Sequence, residues 1–283
     1  MKLNVSKINF THIFIIVLFI LISIVRISGI TQSPPGFYKD EAGIAFNGYS
    51  ILKTGKDEYG VPLPLFFRNF DDWKEPIFIY SQIPVMAVFG LDIFATRLTA
   101  ALWGLATVAL FSYLVLILTN SKYAVVAGML FLGFMPWHYH FSRIGFQLIT
   151  LPFFFTLYLV FIVKFLHSSS VKWYLRSAVV LGLLFYTYYG GRFYGAFFLL
   201  VQTILFRKKL SFTTIVDSWR IFVVVLIPAF IWNYFFPETI TSRYDAVSLR
   251  SRYSEISEII RVYITGYVKH FTPEFWFLKG DTN

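Results

Sequence analysis

The chain has 283 residues, of which 57% are hydrophobic, 21% aromatic and 14% charged, against roughly 25% charged in a soluble domain; an ordinary soluble protein is excluded and a polytopic membrane protein is indicated. It has no cysteine, so a disulfide framework, a cysteine zinc site and a thiol nucleophile are excluded too. The net charge of +10 does not point to nucleic acid, because the cations fall in short clusters between apolar runs, as membrane orientation signals do.

The first apolar run, Ile8 to Gly29, follows Lys2 and Lys7. It is longer than the ~7–15-residue core of a cleaved signal peptide and carries no small-residue cleavage site, so it reads as an uncleaved span. Arg26, near its far end, is expected to snorkel to the interface. A polar segment, about 31–75, opens the first outer loop, which spans 31–92. Within it, Ile44, Gly48, Ile51 and Leu52 share one helical face, predicting a helix over Lys39–Lys53 stopped by Gly55. The run "PIFIYSQIPVMAVFG", Pro76 to Gly90, falls short of the ~20 residues of a crossing and predicts an interfacial or re-entrant helix. Further spans are expected at 93–118, 122–140, 146–166, 174–190, 191–206 and 219–236, with "YYGGR" dividing the fourth from the fifth of these. The expected fold is all-α: a single membrane-embedded domain over 1–283 with about seven transmembrane helices and an outer polar tail over 237–283.

Charge orients this arrangement. The pieces assigned to the cytoplasm hold Lys2, Lys7, Lys122, Lys164, Lys172, Arg176, Arg207, Lys208, Lys209 and Arg220 against one acid, Asp217. The first outer loop holds Lys39, Lys53, Lys56, Arg68 and Lys74 against Asp40, Glu41, Asp57, Glu58, Asp71, Asp72, Glu75 and Asp92. The positive-inside rule then puts the N-terminus in the cytoplasm and Asp40 and Glu41 outside.

Asp40 and Glu41 fall in the first turn of the Lys39–Lys53 helix. Acids there can simply meet the positive end of the helix dipole; alternatively, a carboxylate at the membrane surface can act as general base toward a hydroxyl. Four cations stand at expected outer helix ends: Lys74 in "DDWKEP", Arg97 in "FATRL", Arg143 in "PWHYHFSRIGFQ" and Arg192 in "YTYYGGRFY". Each alone fits an interfacial anchor; convergence of all four on the acidic pair fits a site for a charged donor. His138 and His140 are two residues apart, on different helix faces, and no H-E-x-x-H string exists. Interfacial polarity is expected of them, and no metal site. Asp71 and Asp72 read as a solvated turn. Neither a G-x-G-x-x-G nor a P-loop string occurs.

The ordered set "PPGFYKDEAGIAFNGYSILKTGKDEYG", "WKEPIFIYSQIPVMAVFGLDIFATRL", "MPWHYHFSRIGFQ" and "YTYYGGRFY" resembles the membrane-embedded GT-C glycosyltransferases, in the branch of the protein O-mannosyltransferases and the aminoarabinose transferases of lipid A. The resemblance implies a sugar donor on a polyprenyl phosphate, used at the outer face of the cell membrane in an inverting transfer. It also implies a transfer that is metal-independent or loosely assisted by a divalent cation. The acceptor would be a hydroxyl of a protein, lipid or glycan. By the same resemblance Asp40 matches the base and Glu41 its motif companion. Lys74 and Arg97 match residues near the donor phosphate, and Arg143 and Arg192 match outer-face arginines. Three departures stand out. Glu75 intervenes between Lys74 and Pro76, Gln147 replaces an acid of relatives, and "HFTPEFWFLKGDTN" resembles a loop that in relatives leads into further spans, so the chain reads as the N-terminal portion of a longer architecture. The competing expectations are a non-catalytic protein of this fold that binds a lipid-linked sugar or a partner, and a transporter. The latter is disfavoured by the scarcity of charges in mid-span and the lack of symmetric halves.

Overall fold

The structure, a computed structural model, describes residues 10–70, 72–251 and 253–275. In chain order the elements up to the fourth helix are α1 (Phe10–Ile27), α2 (Lys39–Thr54), β1 (Phe67–Asn69), β2 (Asp72–Lys74), α3 (Pro76–Phe89) and α4 (Ile93–Thr119). They are followed by α5 (Lys122–Phe134), α6 (Pro136–Phe141), α7 (Thr150–Ser168), α8 (Val171–Leu183), α9 (Tyr189–Phe206) and α10 (Phe212–Phe235). The chain divides into two compact units, one ending at Tyr234 and one starting at Phe235. The second holds α11 (Glu238–Val247) and α12 (Ile256–Lys269). The stretch expected to be a polar tail is therefore partly helical, and α12 carries an exposed apolar row of Ile256, Ile260, Tyr263, Ile264 and Tyr267.

Each of the seven apolar runs is helical. Among the described residues four helical segments are long and apolar enough to cross a membrane: Phe10–Ile27, Ile93–Thr119, Gln147–Ser168 and Phe212–Phe235. α4 is the organising member of the first unit. It packs against α1, α3, α5 and α7 through a row of buried small residues, Thr96, Ala100, Ala101 and Gly104, which lets neighbouring backbones come close where no aqueous hydrophobic effect drives association.

Local chemistry accounts for the element ends. α2 runs to Thr54 and stops at Gly55 (φ 70°), one residue beyond the expected end, with Ile44, Gly48 and Ile51 buried. Pro76 opens α3 at a position where its missing N–H costs nothing. The expected 122–140 span is broken, because Pro136 holds Met135 extended (φ −58°, ψ 119°) and starts the separate α6. The expected 174–190 span ends early, with α8 passing into a 3-10 turn at Leu184–Tyr186. The break before α9 falls at Thr187 and Tyr188, while Gly190 and Gly191 lie inside α9. Gly191 is there for packing, since a Cβ would overlap the Leu184 carbonyl oxygen. α10 begins at Phe212, earlier than the expected 219, with the Thr214 N–H donating to Ser211 Oγ at 3.2 Å. Asp217 and Arg220, which weaken the apolar signal, pair one helical turn apart at 3.2 Å.

Candidate active site

Successive helix residues point about 100° apart, and this separates the acidic pair. Glu41 turns inward and is buried. Its Oε1 accepts from Arg97 Nε at 3.1 Å and from the Gly145 N–H at 2.6 Å. Its Oε2 accepts from Arg97 Nη2 at 3.0 Å and from the Tyr38 N–H at 3.2 Å. Gly145 reaches the carboxylate because a side chain there would collide with Thr96. Arg97 uses its remaining donors on backbone carbonyls: Ile30 and Pro34, each 2.9 Å from Nη1, and Gly36, 2.6 Å from Nη2. With all five donors engaged, this pair bolts α2 and the 30–36 segment to α4.

Arg143 and Arg26 do related work one layer away. Arg143 Nη1 donates to the Val25 and Arg26 carbonyls at 3.0 and 2.8 Å, and its Nε and Nη2 to the Ser33 carbonyl at 3.1 and 3.0 Å. It satisfies orphan carbonyls at the end of α1, where a cation also suits the dipole. Arg26, expected to snorkel, is instead buried. It donates to the Leu132 and Gly133 carbonyls at 3.1 and 2.8 Å and to Ser142 Oγ at 2.7 Å. His138, expected at the interface, is buried beside it, with Nδ1 3.0 Å from Arg26 Nη2. A guanidinium only donates, so Nδ1 is the acceptor. His140 is exposed.

Asp40, in contrast, faces outward. Its side chain is 38% exposed and its Oδ1 lies 3.5 Å from Lys74 Nζ, whose own side chain is only 4% exposed. The ammonium is held at 3.1 Å by Asp72 Oδ2 and sits 5.6 Å from the centre of the Phe146 ring. Asp72 is thus not a solvated turn residue: the Tyr189 hydroxyl lies 2.7 Å from its Oδ1 and 2.6 Å from the Trp73 carbonyl oxygen. Burial alone would raise the Asp72 carboxyl, but the hydrogen bond from Tyr189 and the Lys74 charge outweigh it and hold the group below the ordinary carboxylate range. Asp71 lies outside the described residues.

The fourth cation, Arg192, pairs with Glu75 at 3.2 Å and is ringed by Tyr189, Phe66 and Phe185, with ring centres 4.6 to 5.2 Å away. Glu75 is fully buried and also accepts from Gln147 Nε2 at 3.4 Å. Burial pushes its carboxyl up from 4.5 to about 7, with Arg192 and Gln147 opposing. Between about pH 4.5 and about 7 the unfolded chain releases this proton while the native chain keeps it. Stability from this group therefore falls as pH rises through that window, by about 3 kcal/mol in all, and is flat above it. Thermal unfolding of the intact chain in detergent at pH 5 and pH 8 should show this loss, and Glu75→Gln should remove it.

The structure therefore sorts the six expected residues. Asp40 and Lys74 meet, and Arg192 joins them through Tyr189 and Asp72. Glu41, Arg97 and Arg143 form the frame behind. Asp72, Glu75 and Tyr189 belong to the cluster although they were not expected there. The signal for Glu75 was its place directly before Pro76, which makes it the residue preceding a helix. Among the described residues no three His, Asp or Glu side chains come together as metal ligands. Beside the cluster, a cavity of about 530 Å³ is lined almost wholly by apolar atoms of Leu65, Pro76, Tyr80, Trp103, Tyr186 and Pro228.

A family model described as dolichyl-phosphate-mannose-protein mannosyltransferase matches residues 74–232, more than half of the chain. The chain belongs to this family. The matched part of this family member contains Lys74, Glu75, Arg97, Arg143 and Arg192; Asp40 and Glu41 precede it. Among solved structures the chain is similar to ArnT from Cupriavidus metallidurans in the apo state, with a TM-score of 0.60 and 18% identity, over 82% of this chain and 44% of that one. It is also similar to the same protein bound to undecaprenyl phosphate, with a TM-score of 0.53 and 17% identity, over 92% of this chain and 50% of that one. At such identity the likeness establishes the fold, which is the GT-C membrane bundle expected from the motifs. The family member spans about half the length of these relatives. No curated protein matches it.

Proposed function

We propose that the chain is a glycosyltransferase that moves a sugar from a polyprenyl-phosphate donor to an acceptor hydroxyl on the outer face of the membrane. The observation that carries this reading is the divided acidic pair. Glu41 is saturated by four donors, while Asp40 stays open to solvent, 3.5 Å from a buried ammonium. Family membership, and the undecaprenyl phosphate bound by one structural relative, support the donor class.

In this reading Asp40 takes the proton of the acceptor hydroxyl as its oxygen attacks the anomeric carbon. The new carbon–oxygen bond forms as the bond to the phosphate oxygen breaks. The electron pair leaves with the polyprenyl phosphate, and the configuration at the anomeric carbon inverts. Lys74 meets the negative charge growing on that phosphate, the kind of electrostatic contribution that often dominates transfer chemistry, with Arg192 as a second cation. Asp72, held by Tyr189, keeps the ammonium in place. Glu41, Arg97 and Arg143 are positioning residues that fix α2 against the bundle. The apolar cavity beginning at Pro76 takes the first part of the polyprenyl chain.

Incubating the purified chain with a radiolabelled polyprenyl-phosphate sugar tests the reading; label should move to a hydroxyl-bearing acceptor, and retention of all label on intact donor would refute transfer. Lys74→Ala should lower kcat/KM for the donor by roughly tenfold or more, the value of a charged hydrogen bond, and leave kcat/KM for the acceptor much less changed. Equal effects on both would remove Lys74 from the phosphate.

A further inference from the structure

α7 leads away from the site: its first turn follows Gln147, and its last residue, Ser168, lies about 30 Å further along the helix axis at 1.5 Å per residue. At that far end three cations gather on one indole. Lys164 Nζ lies 4.6 Å, Lys172 Nζ 5.2 Å and the Arg176 guanidinium 4.8 Å from the Trp173 ring centre. Lys164 comes from α7 and also stands over the Tyr113 ring of α4 at 5.1 Å. The other two come from α8, four residues apart, a spacing at which like charges repel. Lys172 is moreover in the first turn of α8, the positive end of the helix, where a cation is unfavourable.

No carboxylate relieves this crowding. Among the described residues none of the three cations has a carboxylate within 4.0 Å, and Asp217, in the second turn of α10, is taken by Arg220. The connecting turn is Ser168–Ser169–Ser170. Ser169 sits at φ 51°, and Ser170, at the cap position of α8, makes no side-chain bond to the first turn. Ser168 Oγ is itself engaged, donating to the Lys164 carbonyl at 2.7 Å and accepting from the Ser170 N–H at 3.3 Å; what this end offers a tetrahedral oxyanion is three positive charges around one indole, beside the positive end of α8.

We propose that Lys164, Lys172 and Arg176, arranged around Trp173 at the N-terminus of α8, form a binding site for a phosphate group, remote from Asp40. The shared chemistry is a tetrahedral phosphate oxyanion. Its two sources are the headgroup of an anionic phospholipid, which the indole would seat at headgroup depth, and free inorganic phosphate.

The test uses the intact chain, delipidated in detergent, in three titrations: phosphatidylglycerol, phosphatidylcholine and inorganic phosphate. Saturable binding is read from the shift in Tm and from lipid retained in native mass spectrometry. Saturation by phosphatidylglycerol and not by phosphatidylcholine assigns the site to a lipid headgroup, whereas saturation by inorganic phosphate at similar concentration assigns it to the free anion. In either case K172Q/R176Q should weaken binding by about 25-fold, each cation near a membrane surface contributing roughly a factor of five, and Arg176→Lys should retain it. Because Lys172 and Arg176 are exposed, the double variant should keep the melting behaviour of the unliganded chain. Absence of saturable binding overturns the proposal. So does unchanged affinity in K172Q/R176Q, or an equal loss in the control R207Q/K208Q, which lies elsewhere on the same end of the bundle.

Discussion

Asp40→Asn should lose sugar transfer by about 10²–10⁴-fold, the usual contribution of a positioned general base, with expression, membrane insertion and Tm close to those of the parent chain. The two halves of this expectation come from the same geometry. Asparagine keeps the shape of the side chain but cannot take a proton from the acceptor. Its loss of charge costs little stability, because the Asp40–Lys74 pair is partly open to water at 3.5 Å, and exposed pairs contribute about 0–1 kcal/mol. Lys74 still has Asp72 at 3.1 Å, so the ammonium is not stranded. The measurement is single-turnover transfer from a labelled polyprenyl-phosphate sugar beside a thermal melt of the same preparation. Full activity in the variant would end the base assignment.

Arg97→Ala should have the opposite signature. It strips the buried Glu41 carboxylate of its counter-charge and of two of its four donors, and leaves the carbonyls of Ile30, Pro34 and Gly36 without the guanidinium that binds them. Breaking one side of a buried ion pair costs about 3–5 kcal/mol, a large share of the roughly 5–15 kcal/mol that holds a domain folded. The expected result is a strongly lowered Tm and poor yield, with a similar outcome for Glu41→Ala. If Arg97→Ala instead melted like the parent and lost only donor affinity, the arginine would be returned to the phosphate site that the resemblance assigned to it.

These two substitutions mark the boundary of what could be read from the chain alone. Periodicity at Ile44, Gly48 and Ile51 located α2 to within one residue, because a half-buried helix must repeat its apolar face. Charge asymmetry singled out the loop that carries Asp40. The roles of the arginines were not legible, since Arg97 and Arg192 have the same local signature of a cation near a helix start. What distinguishes them is long-range: the 30–36 carbonyls turn toward Arg97, whereas Arg192 meets Glu75, 117 positions away in sequence. Glu75 itself read as an interruption of a motif, and only burial shows it to be a structural partner. Likewise Gly190 and Gly191 suggested a break, but at Gly191 the glycine's value is the room it leaves for the Leu184 carbonyl.

The small hairpin imposes a rule of parity. β1 and β2 pair Phe67 with Lys74 and Asn69 with Asp72, so Asp72 and Lys74 project to one side and Trp73 to the other. Whether an ammonium or an indole confronts Asp40 is thus decided by odd or even counting along three residues. Adding or deleting one amino acid in this ribbon would exchange the two. Among homologous chains, length in this ribbon should therefore vary in steps of two, even where the residues themselves drift freely.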